Sequence, residues 1–266
     1  MAFINNQGVK IYWDEQGAGE PVLLIMGLGY PSDIWYRTRP LLAARYRTIA
    51  LDNRGVGRSD TPPGPYPIAL MASDAAAVLD ASGLESAHVY GVSMGGMIAQ
   101  EFALRHPRKV QALVLGCTTP GGPKAVRLGG EALTNAYSTQ PMSAEERGKA
   151  LAEAAFTKGY IEQHPEIIPA MIEARRQRPL DPVALAHRMK AAYAHDTYDR
   201  LSQITCPTLV ITGKDDVLIS WENSRILAER VPSAKLVLLE PAGHCFWLEQ
   251  PEQSREAILA FLSSVP

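Results

Sequence analysis

Short apolar runs recur along the chain, separated by longer stretches whose apolar residues have helical spacing. A continuous apolar run favours a strand that is buried on both faces, as in a parallel sheet. Such runs lie at residues 21–26, 48–52, 88–92, 110–115, 207–212 and 235–239. Helical spacing lies at residues 34–44, 68–81, 95–105, 221–230 and 251–262. The alternation predicts an α/β fold with a mostly parallel central sheet and helices on both faces.

Two segments depart from this alternation. Near the N-terminus, turn residues at positions 6–8 interrupt residues 4–13 and predict a β-hairpin. Between residues 121 and 200 no buried strand is predicted, and helical patterns lie at residues 131–155, 166–178 and 182–194. We therefore predict an α/β core formed by residues 1–120 and 201–266, with residues 121–200 inserted as a helical cap.

Composition and charge narrow the function classes. The 266 residues carry 26 Lys and Arg against 28 Asp and Glu, a net charge of −2, which argues against nucleic acid as a partner. No apolar run reaches the length of a membrane span, and residues 1–10 lack the pattern of a signal peptide. Three cysteines form an odd, sparse set that is typical of reduced thiols. We expect a cytoplasmic protein with no membrane partner; the sequence does not indicate an oligomeric state.

A serine lies directly between a predicted strand and a predicted helix. Gly91 and Gly95 flank Ser93 in a G-x-S-x-G pattern, which is typical of a nucleophile elbow. Glycines at these positions relieve crowding across the sharp turn that holds such a serine in a strained conformation. The free N–H groups at the start of the helix would face an oxyanion formed there. We predict Ser93 as a nucleophile and the backbone N–H of Met94 as an oxyanion donor.

An acid and a base follow the serine along the chain. Asp215 and Asp216 come just after the predicted strand that ends at residue 212, and His244 comes after the strand that ends at residue 239. In open α/β sheets such groups gather at the carboxyl ends of the strands. The order Ser–Asp–His is that of an α/β-hydrolase triad, and on position alone either aspartate could be its acid.

With these motifs in place, the chain resembles the α/β-hydrolase family, and within it the cap-bearing members. It is similar to 3-oxoadipate enol-lactonases, to small carboxylesterases and to methylesterases. The resemblance spans nearly the whole chain and is strongest at residues 51–60, 91–100, 213–216 and 243–244. It implies an α/β-hydrolase fold with an inserted helical cap, and chemistry that needs no cofactor.

The resemblance also assigns residues. It implies Asp216 as the acid, because the family's acid stands three residues after the glycine that is Gly213 here, and it leaves Asp215 as a solvated carboxylate. It implies the backbone N–H of Leu28 as the second oxyanion donor. Met26 stands where the family commonly has a histidine, a change that should leave a backbone donor intact.

Substrate contacts are less defined by the sequence. The predicted pocket residues are Trp35, Met97, Leu218 and Phe246, since pockets are lined mainly by apolar side chains. The cap carries arginines that could bind a substrate carboxylate, but the favoured interpretation is a solvated helix face balanced by glutamates. These arginines are Arg127, Arg147, Arg175, Arg176, Arg178 and Arg188. The histidines lack metal-ligand spacing, and no metal site is predicted.

We interpret the chain as a serine hydrolase that cleaves a small-molecule carboxylic ester or lactone through an acyl-enzyme. Carboxylesterase is the central hypothesis, and enol-lactonase comes next. A serine at the elbow argues against dehalogenase and epoxide hydrolase chemistries, which use a carboxylate nucleophile in this fold. Two alternatives stay open: a carbon–carbon bond hydrolase of the meta-cleavage type, and a receptor-like homologue that binds its ligand with little turnover.

Overall fold

The computed structural model describes residues 2–127, 129–138 and 140–265. Within them lies an eight-stranded sheet. The strands are β1 (Ala2–Asn6), β2 (Val9–Gln16), β3 (Pro21–Ile25), β4 (Arg47–Leu51), β5 (Ala87–Val92), β6 (Val110–Gly116), β7 (Thr208–Gly213) and β8 (Ala234–Leu239). Their order across the sheet is β1-β2-β4-β3-β5-β6-β7-β8. Among these strands, the pairings of β1 with β2 and of β2 with β4 are antiparallel, and the other five pairings are parallel. The chain thus has the predicted α/β-hydrolase fold.

Helices cover both faces of the sheet. The described helices are α1 (Thr38–Ala43), α2 (Ile68–Ala81), α3 (Met94–Arg105), α4 (Gly130–Ala136), α5 (Ala144–Ala155), α6 (Lys158–Gln163), α7 (Ile167–Gln177), α8 (Pro182–Tyr193), α9 (Trp221–Arg230), α10 (Phe246–Glu249) and α11 (Pro251–Leu262). Leu23 and Ile25 of β3 pack in one apolar cluster with α2, α3 and α9. Their neighbours Val22 and Leu24 pack in a second cluster with α1 and α11. Successive side chains of a strand point to opposite faces, so an all-apolar strand can serve both clusters.

The N-terminal hairpin is present, with β1 and β2 paired from Ala2–Trp13 to Asn6–Val9. The helix predicted at residues 34–44 is wrong in its extent: a 3-10 turn at Ser32–Tyr36 precedes the short helix α1. The physical reason is Pro40, which has no N–H to donate to a carbonyl one turn earlier. In α1 it lies in the first turn, where that N–H would have no helical partner anyway.

Helices α4 to α8 lie between β6 and β7, and we use the name cap for this helical insertion. The single helical pattern at residues 131–155 is split into α4 and α5, because Pro141 interrupts it and Ser143 starts α5 with a capping box. Helix α6 was not predicted. The two ends of this helical insertion meet where Gly121 pairs with Asp196 in a β-bridge, and the Gly122 N–H donates to the His195 carbonyl at 3.0 Å. Among the described helices, none has both the length and the apolar character that crossing a membrane requires.

Candidate active site

Ser93 lies in a sharp turn between β5 and α3. Its backbone has φ 57° and ψ −126°, a region that side chains rarely adopt and that costs energy to hold. Two hydrogen bonds fix the turn. The Ser93 N–H donates to the Gly116 carbonyl at 2.8 Å, and the Thr118 hydroxyl donates to the Ser93 carbonyl at 2.7 Å. A side chain at Gly91 would collide with the Gly95 carbonyl, and one at Gly95 with the Ile25 carbonyl. Both glycines of the motif are thus required by close backbone approach.

Asp216 and His244 meet beyond the ends of β7 and β8. The distance from His244 Nδ1 to Asp216 Oδ2 is 2.7 Å, and both residues are buried. The other carboxylate oxygen of Asp216 accepts the N–H groups of Leu218 and Ile219, at 2.8 and 2.9 Å. An ionised carboxylate can only accept, so the contact places a proton on Nδ1 and leaves Nε2 of a neutral imidazole as an acceptor. This arrangement holds the histidine in the tautomer that a general base needs.

Asp215 has a different environment. It is exposed, its N–H donates to the Ala242 carbonyl at 2.9 Å, and its carboxylate accepts the Ala242 N–H at 3.3 Å. These contacts join the loop after β7 to the loop that carries His244. Asp215 therefore fastens the two loops together, while Asp216 reaches the imidazole.

The loop after β3 lies against the serine. An added side chain at Gly27 would come within 2.9 Å of Ser93 Cβ and 3.1 Å of the Val92 carbonyl, so only glycine lets this loop approach so closely. Within the described part of the chain, the N–H groups of Leu28 and Met94 donate no hydrogen bond. Two cap residues hold the loop through its carbonyls: the Tyr137 hydroxyl donates to Leu28 O at 3.2 Å, and Arg175 Nη1 donates to Gly29 O at 3.1 Å.

A cavity of about 400 Å³ opens above these groups. Ser93, Met94, Leu28 and His244 lie on its wall, and helices α4, α5, α7 and α8 supply much of the rest. Most of the lining side chains are apolar; the charged side chains on the wall are Asp33, Arg175 and Arg178. Enclosed apolar walls with a few polar groups are typical of small-molecule sites.

Of the four predicted pocket residues, Met97 and Leu218 line this cavity. The predictions for Trp35 and Phe246 are corrected, because neither lies on its wall. Trp35 is buried in the core, with its ring centroid 4.9 Å from that of Tyr90 and 5.9 Å from that of Trp247. Phe246 points into the core beside Gly116, whereas Cys245 and Trp247, the residues on either side of it, line the cavity.

The sequence analysis missed several wall residues that come from the cap and the early loop. Tyr30, Tyr137 and Ile167 are examples. No sequence signal separates them from core residues, because helical spacing places an apolar side chain on a packed face without saying which face lines a cavity.

The cap arginines have different environments. Arg176 pairs with Glu173 on the surface at 2.8 Å, and Arg178 pairs with Asp33 at 2.5 Å beside the cavity. The solvated-face interpretation is wrong for Arg188, which is fully buried. Its guanidinium has no hydrogen-bond partner among residues 2–127, 129–138 and 140–265. Burial lowers the pKa of Arg188 to about 10, so the side chain still carries its charge at neutral pH.

The cap is tied to the histidine loop by Glu249. One carboxylate oxygen accepts the N–H groups of Thr157 and Gly243, at 2.9 and 3.0 Å, and the other accepts the Thr157 hydroxyl at 2.9 Å. The Cys245 N–H also donates to the Ala155 carbonyl at 2.8 Å. Burial raises the pKa of Glu249 despite these three donors. The position of His244 therefore depends on α5 and α6 as well as on the sheet.

One group of potential metal ligands occurs in the described residues. Atoms of Cys117, Asp216 and His244 lie within 4.8 Å of one another, and all three residues are buried. The carboxylate and the imidazole are already hydrogen-bonded to each other. Burial and the nearby Asp216 charge raise the pKa of the Cys117 thiol well above its ordinary value, which disfavours the thiolate that would bind a metal. The arrangement fits a hydrogen-bonded acid–base pair better than a metal centre.

Comparison with known proteins gives a family and three similar proteins. The family model of the alpha/beta hydrolase fold matches residues 20–251. A curated relative, the "Putative carbamate hydrolase RutD" of Azorhizobium caulinodans, is 30% identical over 100% of this chain and 99% of its own. The structure of Est816, described as an N-acyl homoserine lactone degrading enzyme, is 32% identical, with a TM-score of 0.81 over 98% of this chain and 100% of its own. The enol-lactonase of Burkholderia xenovorans shares the fold, with 23% identity and a TM-score of 0.87 over 99% of this chain and 100% of its own.

Proposed function

Because this chain belongs to the α/β-hydrolase family and is a hydrolase, we propose that it cleaves a carboxylic ester or lactone through an acyl-enzyme on Ser93. Ser93, Asp216 and His244 form the proposed triad, and the N–H groups of Leu28 and Met94 form the proposed oxyanion hole. Carboxylesterase and lactonase activity are one chemistry here, since a lactone is a cyclic ester.

The proposed cycle has two halves. The Ser93 hydroxyl attacks the substrate carbonyl, its proton passes to Nε2 of His244, and the carbonyl oxygen becomes an oxyanion held by the two N–H groups. The tetrahedral intermediate then expels the alcohol, which takes the proton from His244. Water repeats the sequence on the acyl-enzyme and releases the acid. Three side chains, two backbone donors and water account for every proton and bond in this cycle.

The observation that carries the proposal is the fixed acid–base pair beside a strained serine. The 2.7 Å contact between Asp216 and His244, with the second carboxylate oxygen held by two backbone N–H groups, leaves the imidazole one orientation. His244 and Ser93 share the wall of one cavity. Est816, which is similar over nearly the whole chain and is described as an N-acyl homoserine lactone degrading enzyme, supports a cyclic or open-chain ester as substrate.

A carbamate is a second candidate substrate. The Azorhizobium caulinodans relative, which covers the whole chain, is named for carbamate hydrolysis. A carbamate carbonyl would meet the same nucleophile and oxyanion donors, and it differs from an ester in the nitrogen on the acyl side. The proposed triad serves either bond, so the substrate must be identified by rate.

The test is hydrolysis of p-nitrophenyl acetate, butyrate and octanoate by the wild type and by Ser93→Ala, with p-nitrophenyl N-methylcarbamate and a ring-cleavage diketone alongside. We expect ester turnover that falls on the order of 10⁴- to 10⁶-fold in kcat without the serine hydroxyl. Ser263→Ala, an exposed serine at the end of α11, is the matched control and should keep the wild-type rate. Turnover that survives in Ser93→Ala would overturn the mechanism. Selective turnover of the diketone, or tight ligand retention without turnover, would instead support the carbon–carbon hydrolase or the receptor.

A further inference from the structure

Arg188 on α8 is a fully buried cation without a partner. Each of its three guanidinium nitrogens is buried and makes no hydrogen bond to any residue of the described ranges. The chain treats its other deeply buried arginine differently: Arg54 makes two hydrogen bonds to the carboxylate of Asp74, at 2.6 and 2.7 Å. A buried charge needs a compensating partner, and one left alone is strongly destabilising. No ligand can reach the guanidinium itself, so an anion bound nearby would offset this charge through its electrostatic field alone.

Arg188 lies on a helix that forms part of the cavity wall. Met189 and Ala192, next to Arg188 along α8 and one turn after it, both line the cavity. The charged and phenolic groups that act on the Arg188 pKa include Tyr137 and Arg175, which also line it. In a low-dielectric wall a charge is poorly screened, so Arg188 raises the electrostatic potential inside the cavity even without touching its occupant.

Arg175 is the cation that an occupant can touch. It lies on the wall, donates one hydrogen bond to the Gly29 carbonyl at 3.1 Å, and has its guanidinium 5.1 Å from the centre of the Tyr30 ring. Among the described residues no carboxylate lies within 4 Å of it, whereas its neighbours Arg176 and Arg178 each have one. A guanidinium has five N–H donors in a fork that matches a carboxylate, and most of those of Arg175 are unused.

We propose that the cavity binds an ester or lactone that bears a free carboxylate, which Arg175 contacts and the buried charge of Arg188 attracts. The assignment deepens the proposed function and rests on it. An anion bound there compensates Arg188 and forms charge-assisted hydrogen bonds with Arg175. The carboxylate can belong to the acyl part or to the alcohol part of the substrate, and the experiment separates the two.

The experiment compares kcat/KM for esters that differ by one charge. Mono-p-nitrophenyl pimelate against p-nitrophenyl heptanoate tests a carboxylate on the acyl side, and 4-carboxyphenyl butyrate against phenyl butyrate tests one on the alcohol side. We expect the wild type to prefer the anionic member of one pair, and Arg188→Met and Arg175→Gln to lower that ratio by about tenfold or more. Arg176→Gln, one position further along α7, is the matched control and should keep the wild-type ratio.

Two further variants separate charge from structure. Arg188→Lys keeps the charge and should keep most of the preference, whereas Arg188→Met should not lower the melting temperature, because it removes an unpaired buried charge. Arg175 also holds the loop that carries Leu28. If Arg175→Gln lowers kcat/KM equally for both members of a pair, Arg175 is a positioning residue and does not contact the carboxylate. Equal rates on both members of each pair in the wild type, or an unchanged ratio in Arg188→Met, would overturn the proposal.

Binding tests the carboxylate site without turnover. Monomethyl pimelate and its neutral match, dimethyl pimelate, are titrated calorimetrically into Ser93→Ala and into Ser93→Ala/Arg188→Met. We expect the monoester to bind Ser93→Ala more tightly than the diester, and to lose about tenfold in affinity when Arg188 is replaced. If the wild type cleaves no ester but this preference is found, the proposed function fails and the carboxylate site stands. Equal binding of both compounds to Ser93→Ala would overturn the carboxylate site.

Discussion

Buried polar groups are satisfied at the end of the sheet that carries the proposed triad, and left unsatisfied on the cap wall of the cavity. At the sheet, Asp216 is buried with both carboxylate oxygens engaged, and the turn at Ser93 is held by Gly116 and Thr118. On the cap side, Arg188 is buried with no partner in the described chain, and Arg175 uses one donor on a carbonyl. Polar groups with all their hydrogen bonds made fix the local geometry, whereas unpaired cations favour the binding of an anion nearby. We infer that the sheet supplies the chemistry and the cap selects the substrate.

The largest effect is expected from replacing the acid of the proposed triad. Asp216→Asn presents an amide that can donate to Nδ1 and so favours the wrong tautomer of His244. We expect kcat to fall by about 10³- to 10⁴-fold with the fold intact. Asp215→Asn is the matched control, because that carboxylate is exposed and contacts only the histidine loop, and its kcat should stay within about threefold. Steady-state kinetics with a p-nitrophenyl ester measures both; a larger loss in Asp215→Asn would exchange the roles of the two residues.

Replacing Glu249 by glutamine tests whether the position of His244 depends on the cap as well as on the sheet. Glutamine keeps the volume of the side chain, but its one amide oxygen cannot accept from all three donors on Thr157 and Gly243. The histidine loop should loosen, and we expect kcat to fall by about threefold to thirtyfold.

Glu252→Gln, on the exposed first turn of α11, is the control for Glu249→Gln. Rates and circular dichroism are measured on both variants, so that a loss of activity can be separated from a loss of folded protein. Wild-type kinetics in Glu249→Gln would show that the sheet alone positions His244.

His195, at the end of the cap where the chain returns to the core, provides a test of the comparison through the pH dependence of folding stability. Burial lowers the pKa of His195 from 6.5 to about 4, so the folded protein keeps the ring neutral where the unfolded chain binds a proton. Folding stability should therefore fall as the pH drops from about 6.5 to about 4, by on the order of 2–3 kcal/mol from this group. Above pH 6.5 both states are neutral and the contribution disappears.

Denaturant unfolding at pH 7.5 and pH 4.5 measures this contribution, which should be absent in His195→Gln and present in His164→Gln, a partly exposed control. Glu101, Arg200 and Asp196 act on His195 and are unchanged in these variants, so the difference isolates the imidazole. An acid slope that persists unchanged in His195→Gln would contradict the account.

The sheet and the pairing of Asp216 with His244 could be predicted from the sequence because each depends on local order along the chain. Apolar runs identify strands buried on both faces, and the carboxyl ends of adjacent parallel strands meet in space, which places Asp216 near His244 without any knowledge of distance. The acid itself needed the family resemblance, because Asp215 has the same local context. Only the structure shows that Asp215 is exposed and that Asp216 is buried.

The cavity wall could not be predicted in the same way. Phe246 and Trp247 are adjacent and equally apolar, yet the short helix α10 sends one to the core and the other to the cavity. Arg188 stands between His187 and Met189 and has the sequence context of a surface helix, and only the packing of α8 against the rest of the cap buries it. Tertiary packing decides such faces, and periodicity does not carry that information.

The central claim is that Ser93 is the nucleophile, and covalent labelling tests it most directly. Paraoxon (diethyl p-nitrophenyl phosphate) transfers its diethylphosphoryl group to an activated serine hydroxyl and releases p-nitrophenolate. Intact-protein and peptide mass spectrometry should find one such group per chain, on the peptide that contains Ser93, and none in Ser93→Ala. Labelling should also be much slower in Asp216→Asn. A label on a different residue, or a wild-type chain that stays unlabelled while it hydrolyses esters, would contradict the account.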